Sequence, residues 1–235
     1  MKFSCTAIVS LLRIGMGVYV LCAALAAQAK VTTYAPYHQA ESNIIYNQLF
    51  CDNPDAYKKT GAVNNDPIWK LLFSSNPDIQ AIRKLGESKK ADSRQKLLAD
   101  HILIENKHKP VHKVLLGVIV EVAFKNGLDT LAAYRDGSVY YIHRDGHVKK
   151  LQKPGKKIAA KVRKLFLEAQ PIIEKIKPWP HQRLGPPVAK QVRLSFLVSD
   201  GIYFGQGSMK QLELNPLAGP VLTAATELLI QIMKQ

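Results

Sequence analysis

Thirteen lysines and arginines lie between His147 and Arg193, against only Glu168 and Glu174, so this fifth of the chain carries +11 of a formal net charge of +15. Such a concentration draws anions: lipid headgroups, acidic protein surfaces or phosphate backbones. Within it Lys157, Lys161, Lys164 and Glu168 recur at i, i+4, i+7 and i+11, so a helix would carry them as one polar stripe. With the adjoining Lys156, these lysines (Lys156, Lys157, Lys161 and Lys164) form the expected anion-binding site, on an anionic membrane or a protein partner. Each lysine held near an anionic bilayer contributes about 1 kcal/mol. A nucleic-acid track is disfavoured, because Phe166 and Trp179 do not interleave with the charges as a stacking platform requires. The same lysines would equally serve as the solvated side of a helix packed on a sheet.

Metal chemistry has one candidate among the seven histidines. His101, Glu105 and His108 stand at i, i+4 and i+7, which a continuous helix would align on one face, with His112 just beyond. Zinc needs three or four such ligands held at about 2 Å, and this trio would support a metal-dependent hydrolase. That is the alternative to a binding protein. His143 and His147 flank the Asp145-Gly146 turn, where a solvated pair is expected.

Other catalytic signatures are missing from the sequence. No Gly-x-Ser-x-Gly elbow occurs, and Ser199-Asp200 is accounted for by a turn. Gly205-x-Gly207 follows a strand, but Lys210 stands where the third glycine of a nucleotide fingerprint would be. No cofactor is expected, and the balance leans away from an enzyme. Cys51, in the stretch LFCDNP, reads as a small buried hydrophobe; as the one cysteine after residue 29 it cannot form an internal disulfide.

The first 29 residues read as an export signal. Lys2 begins a charged region, an apolar run spans Ile14 to Ala27, and Ala27-Gln28-Ala29 has the small-x-small form of a cleavage site. A periplasmic or secreted location follows, with an uncleaved membrane anchor as the alternative. Only Lys2 and Arg13 are charged there, so +13 of the net charge remains from Lys30 onward. With 47% hydrophobic and 22% charged residues, the chain is able to bury a core and is not of disordered composition.

The elements that would position these residues follow from periodicity and turn chemistry. Residues 30–110 read as four short helices, the third opened by Asn76-Pro77-Asp78 and closed by Gly86. Residues 111–235 read as a sheet domain. There Val114 to Leu151 is a meander of strands turned at Asn126-Gly127, Asp136-Gly137 and Asp145-Gly146. Its first strand is apolar throughout except for Glu121. Gly155 to Lys177 is an amphipathic helix kinked at Pro171. Gln191 to Val198 is a strand in strict alternation, returning at Asp200-Gly201. A last helix starts at Asn215-Pro216. The order predicts an α+β fold: an antiparallel sheet with helices on one face.

This order resembles the profilin-like sheets of the roadblock and longin modules, over residues 112–235. That resemblance implies a surface presented to protein partners. The stretches YNQLFCDNP (Tyr46 to Pro54) and LLGVIVEV with LDTLAAYRDGSVYYIHRDG (Leu115 to Gly146) are also similar to an uncharacterised proteobacterial family, which supplies no functional residues.

Overall fold

β1 (Leu115–Phe124) is apolar on both sides, and the fold covers both. The computed structural model describes residues 33–58 and 66–235; the signal segment lies outside them. β1 pairs with β2 (Gly127–Tyr134), which pairs with β3 (Val139–Ile142), which pairs with β4 (Val148–Leu151). Gly137 and Gly146 make two of the turns at φ 93° and 91°, a region where a Cβ is strained. β5 (Gln191–Val198) pairs with the other edge of β1, and β6 (Gly201–Ser208) closes the hairpin. The result is one antiparallel sheet in the order β4-β3-β2-β1-β5-β6.

Two hydrophobic cores sandwich it. On one face Val118, Val120, Leu194 and Phe196 meet Ile158, Val162 and Leu165 of α6 (Lys156–Lys175) and Val221 and Leu228 of α8 (Ala218–Met233). On the other, Leu116, Ile119, Ala132 and Tyr134 meet an N-terminal layer. That layer comprises α1 (Ala40–Leu49), α2 (Asp55–Lys58), α3 (Pro67–Leu72), α4 (Ile79–Glu87) and α5 (Ser93–Glu105). The described residues form one compact unit.

The α+β class and the antiparallel sheet are as expected, but the helices do not keep to one face. The physical reason is written in β1. A bulge between Leu115 and Gly117 resets its alternation, and both resulting sets of side chains are apolar apart from Glu121, so each needs a cover. Gly86 does not end α4; it lies inside it, and Ser88 is the C-cap. Two short helices, α2 and α7 (Met209–Leu214), add to those expected. α7 opens on a Ser208–Gln211 capping box. α8 begins at Ala218 with Leu217 as its N-cap, later than the Asn215-Pro216 start expected. Asn215 is the C-cap of α7, and its side chain accepts hydrogen bonds from the backbone of Leu217 and Ala218 at 2.9 and 3.0 Å.

The N-terminal layer is fastened by polar contacts as well as burial. Tyr37 and Thr130 share a buried hydroxyl–hydroxyl hydrogen bond of 2.8 Å. Tyr46 donates to the Glu121 carboxylate at 2.7 Å, and Tyr134 donates to the Leu49 carbonyl at 2.6 Å.

Candidate functional site

The basic segment divides into inward and outward charges. Lys161 and Lys164 both reach Glu227 of α8 at 2.8 Å, and these two ammonium groups hold its carboxyl below the usual carboxylate range. Lys149 donates to the Ile232 carbonyl at 2.9 Å, where a cation complements the C-terminal end of α8. Arg183 pairs with Asp52 at 2.7 Å. Arg193 lies beside the buried Glu121. These five serve the fold. Lys150, Lys153, Lys156, Lys157, Arg163, Lys175, Lys177 and Lys190 are exposed.

Two of the four predicted site lysines are therefore spoken for. α6 and α8 lie side by side on the sheet, which turns Lys161 and Lys164 toward Glu227 and leaves Lys157 exposed beside the outward face. The stripe that faces outward is offset from it: Lys156, Ala160, Arg163, Leu167 and Pro171 are all exposed, at the spacing of one helix face. Sequence spacing shows that a polar stripe exists but not which neighbour it meets.

The outward stripe borders a cavity of about 390 Å³. Val162, Phe166 and Leu167 give it apolar walls, and Arg163 and Arg135 give it two guanidinium groups. Arg135 comes from the β2–β3 turn, where its Nη1 donates to the Leu115 carbonyl at 3.3 Å. Leu167 is 73% exposed, an unusual setting for a leucine flanked by cations. Sequence reading missed Arg135 and Leu167. Leu167 carried a faint signal, being an apolar residue on the polar side of the helical period, whereas Arg135 reaches the site through tertiary packing alone.

The histidine trio is not brought together. His101 Nε2 and Glu105 Oε1 sit 3.2 Å apart, and the imidazole beside Glu105 lowers that carboxyl's pKa. α5 ends there, however. Asn106 caps it and Lys107 takes φ 62°, so His108 leaves the helical face and is exposed. Among the described residues no group of three or more His, Cys, Asp or Glu is arranged to hold a metal ion. His143 and His147 both contact Asp145, at 2.9 and 3.0 Å, and fix the turn.

Cys51 is buried and free of disulfide. It follows the C-cap of α1 at φ 54°, the left-handed position that usually falls to glycine. Burial pushes its thiol up to about 12, against a contrary hydrogen bond to Tyr57 at 3.3 Å. Since the thiolate is the nucleophile, the folded protein at neutral pH is expected to resist iodoacetamide, with labelling only after denaturation. Labelling of the native chain at the rate of a free thiol would contradict that burial.

No family, curated protein or solved structure matches this chain. Among the described residues no helix is long and apolar enough to cross a membrane.

Proposed function

We propose that this chain is an exported, non-catalytic binding protein that docks on anionic lipid through the outer stripe of α6. Export rests on the reading of residues 1–29. The docking surface rests on charge and shape together. Lys156, Lys157 and Arg163 are exposed cations with no carboxylate within ion-pair distance among the described residues. The observation that carries the choice of lipid over an acidic protein is Leu167, exposed on the same face and bordering an apolar cavity that two arginines flank. A phosphate headgroup suits the guanidinium fork, and Leu167 with Phe166 suits the acyl boundary beneath it. A basic face with an apolar insertion is how peripheral helices bind bilayers. The resemblance to profilin-like modules agrees with a surface-presenting role.

Co-sedimentation with phosphatidylcholine vesicles, with and without phosphatidylglycerol, tests the reading. The chain is expected to pellet with the anionic vesicles and to leave them at high salt, because exposed charges more than a Debye length apart are screened. Equal pelleting with both vesicle types, insensitive to salt, would place the attachment in an apolar segment instead. Retention on an acidic polypeptide but not on anionic vesicles would make the partner a protein.

A further inference from the structure

A second cavity lies on the opposite face of the sheet. It measures about 430 Å³ and opens between α4, α5 and the segment leading into β1, a size typical of small-molecule sites. Asp100, in the third turn of α5, lines it and is 93% buried, at 7% exposure. No hydrogen bond reaches its carboxylate from any described residue, and its oxygens are open to the cavity rather than sealed in the core. Gly86 of α4 makes room for it: a Cβ there would stand 3.2 Å from Asp100 Oδ1. Two further features of the lining are complementary. Arg83 and Lys96 are half-buried cations in the same wall, and Arg83 is steadied by a 3.1 Å hydrogen bond to the Lys109 carbonyl. Leu103, Val111 and Leu116 supply apolar surface.

We propose that this cavity binds a small aliphatic α-amino acid. The ammonium group of such a ligand supplies the donors that Asp100 lacks. Its carboxylate lies against Arg83 and Lys96, and its side chain covers Leu103, Val111 and Leu116. An anion alone leaves Asp100 unmatched, and an apolar molecule leaves Arg83, Lys96, Asp100 and the exposed Glu87 of the lining unmatched, so the lining selects for both signs on one ligand. The site is independent of the docking face on α6, on another face of the sheet and with different residues.

Leucine, 3-methylbutylamine and 4-methylpentanoate, which share an aliphatic body, separate the contributions when titrated into the full chain by calorimetry and by thermal shift. Leucine is expected to bind one-to-one and to raise the melting temperature by mass action. The amine is expected to bind more weakly and the acid not at all. Asp100→Asn, which keeps the side-chain shape, is expected to weaken leucine binding roughly tenfold or more, the loss of one hydrogen bond to a charged group. Circular dichroism confirms that the variant is folded. Binding of the acid as tight as that of leucine, unchanged leucine binding by Asp100→Asn, or neither heat nor thermal shift with leucine would each overturn the proposal.

Discussion

Replacing Asp100 by Asn is expected to stabilise the unliganded protein at about pH 8 by up to about 4 kcal/mol, and to do nothing for it near pH 4. Burial pushes the Asp100 carboxyl up from 3.8 to about 7; Lys96 opposes the rise and Asp200 adds to it. A carboxyl whose pKa is higher in the folded than in the unfolded chain binds its proton more tightly when folded. Its contribution is therefore fully present below about 4, declines as pH rises, and is gone once pH passes about 7. The difference of about three pKa units corresponds to about 4 kcal/mol. Asn cannot ionise, so the variant loses this slope. Urea unfolding of both proteins from pH 4 to pH 8 measures it: two curves that converge at low pH and separate toward neutrality are expected. Curves that stay parallel would show that Asp100 is not desolvated. Destabilising burial of an unmatched carboxylate is what a binding site tolerates and a core position does not.

The second large effect concerns the buried pair on the same sheet face. Glu121 and Arg193 face each other across β1 and β5 in register. Glu121 is 0% exposed and Arg193 5%. The guanidinium is held by Gln206 Oε1 at 2.7 and 2.9 Å and by the Gly185 carbonyl at 2.6 Å. Its Nη1 stands 3.8 Å from Glu121 Oε2, while Tyr46 bonds the other carboxylate oxygen. Arg193→Ala leaves Glu121 buried beside one fewer cation, and breaking such a pair costs about 3–5 kcal/mol. In a chain of this size each kcal/mol moves the melting temperature by roughly 2–4 °C, so a drop of roughly 10 °C is expected. Burial raises the Glu121 pKa, with Tyr46 and Arg193 opposing; without Arg193 it rises further. The loss is therefore larger at about pH 8 than at about pH 5, because the folded state must then hold a charge that the unfolded chain carries freely. Adding Glu121→Gln to the variant is expected to restore part of the stability. A melting temperature within a degree or two of the parent would contradict the account.

The strands were the most legible part of the chain. Asn-Gly and Asp-Gly turns set the meander, and strict alternation in Val192, Leu194, Phe196 and Val198 marked β5, because both signals are local. The two-sided sandwich was half-legible. β1 is apolar at Leu116 and Ile119 as well as at Val118 and Val120, and that alone requires two covers, yet which helices supply them is decided by contacts distant in sequence. The site was legible as charge but not as geometry. The 3.6 period located a polar stripe through Lys157, Lys161 and Lys164; Glu227, some sixty residues away, takes up two of those charges. Asp100 left a trace, an acid set among Leu97, Leu98, Ile102 and Leu103, but the cavity it lines forms only when α4 and the segment before β1 close around it. The metal trio failed at a boundary: Asn106 ends the helix two residues before His108.

The claim that the outward stripe of α6 is a lipid-docking surface is tested most directly by reversing its charges. Lys156→Glu, Lys157→Glu and Arg163→Glu in one chain remove three cations, each contributing about 1 kcal/mol near an anionic surface, so affinity for phosphatidylglycerol vesicles is expected to fall roughly a hundredfold or more. Lys161→Gln with Lys164→Gln, which alters only the pair turned toward Glu227, is the matched control and is expected to bind nearly as the parent does. If the triple variant binds anionic vesicles as tightly as the parent, the outward stripe is not the docking surface and the central claim is wrong.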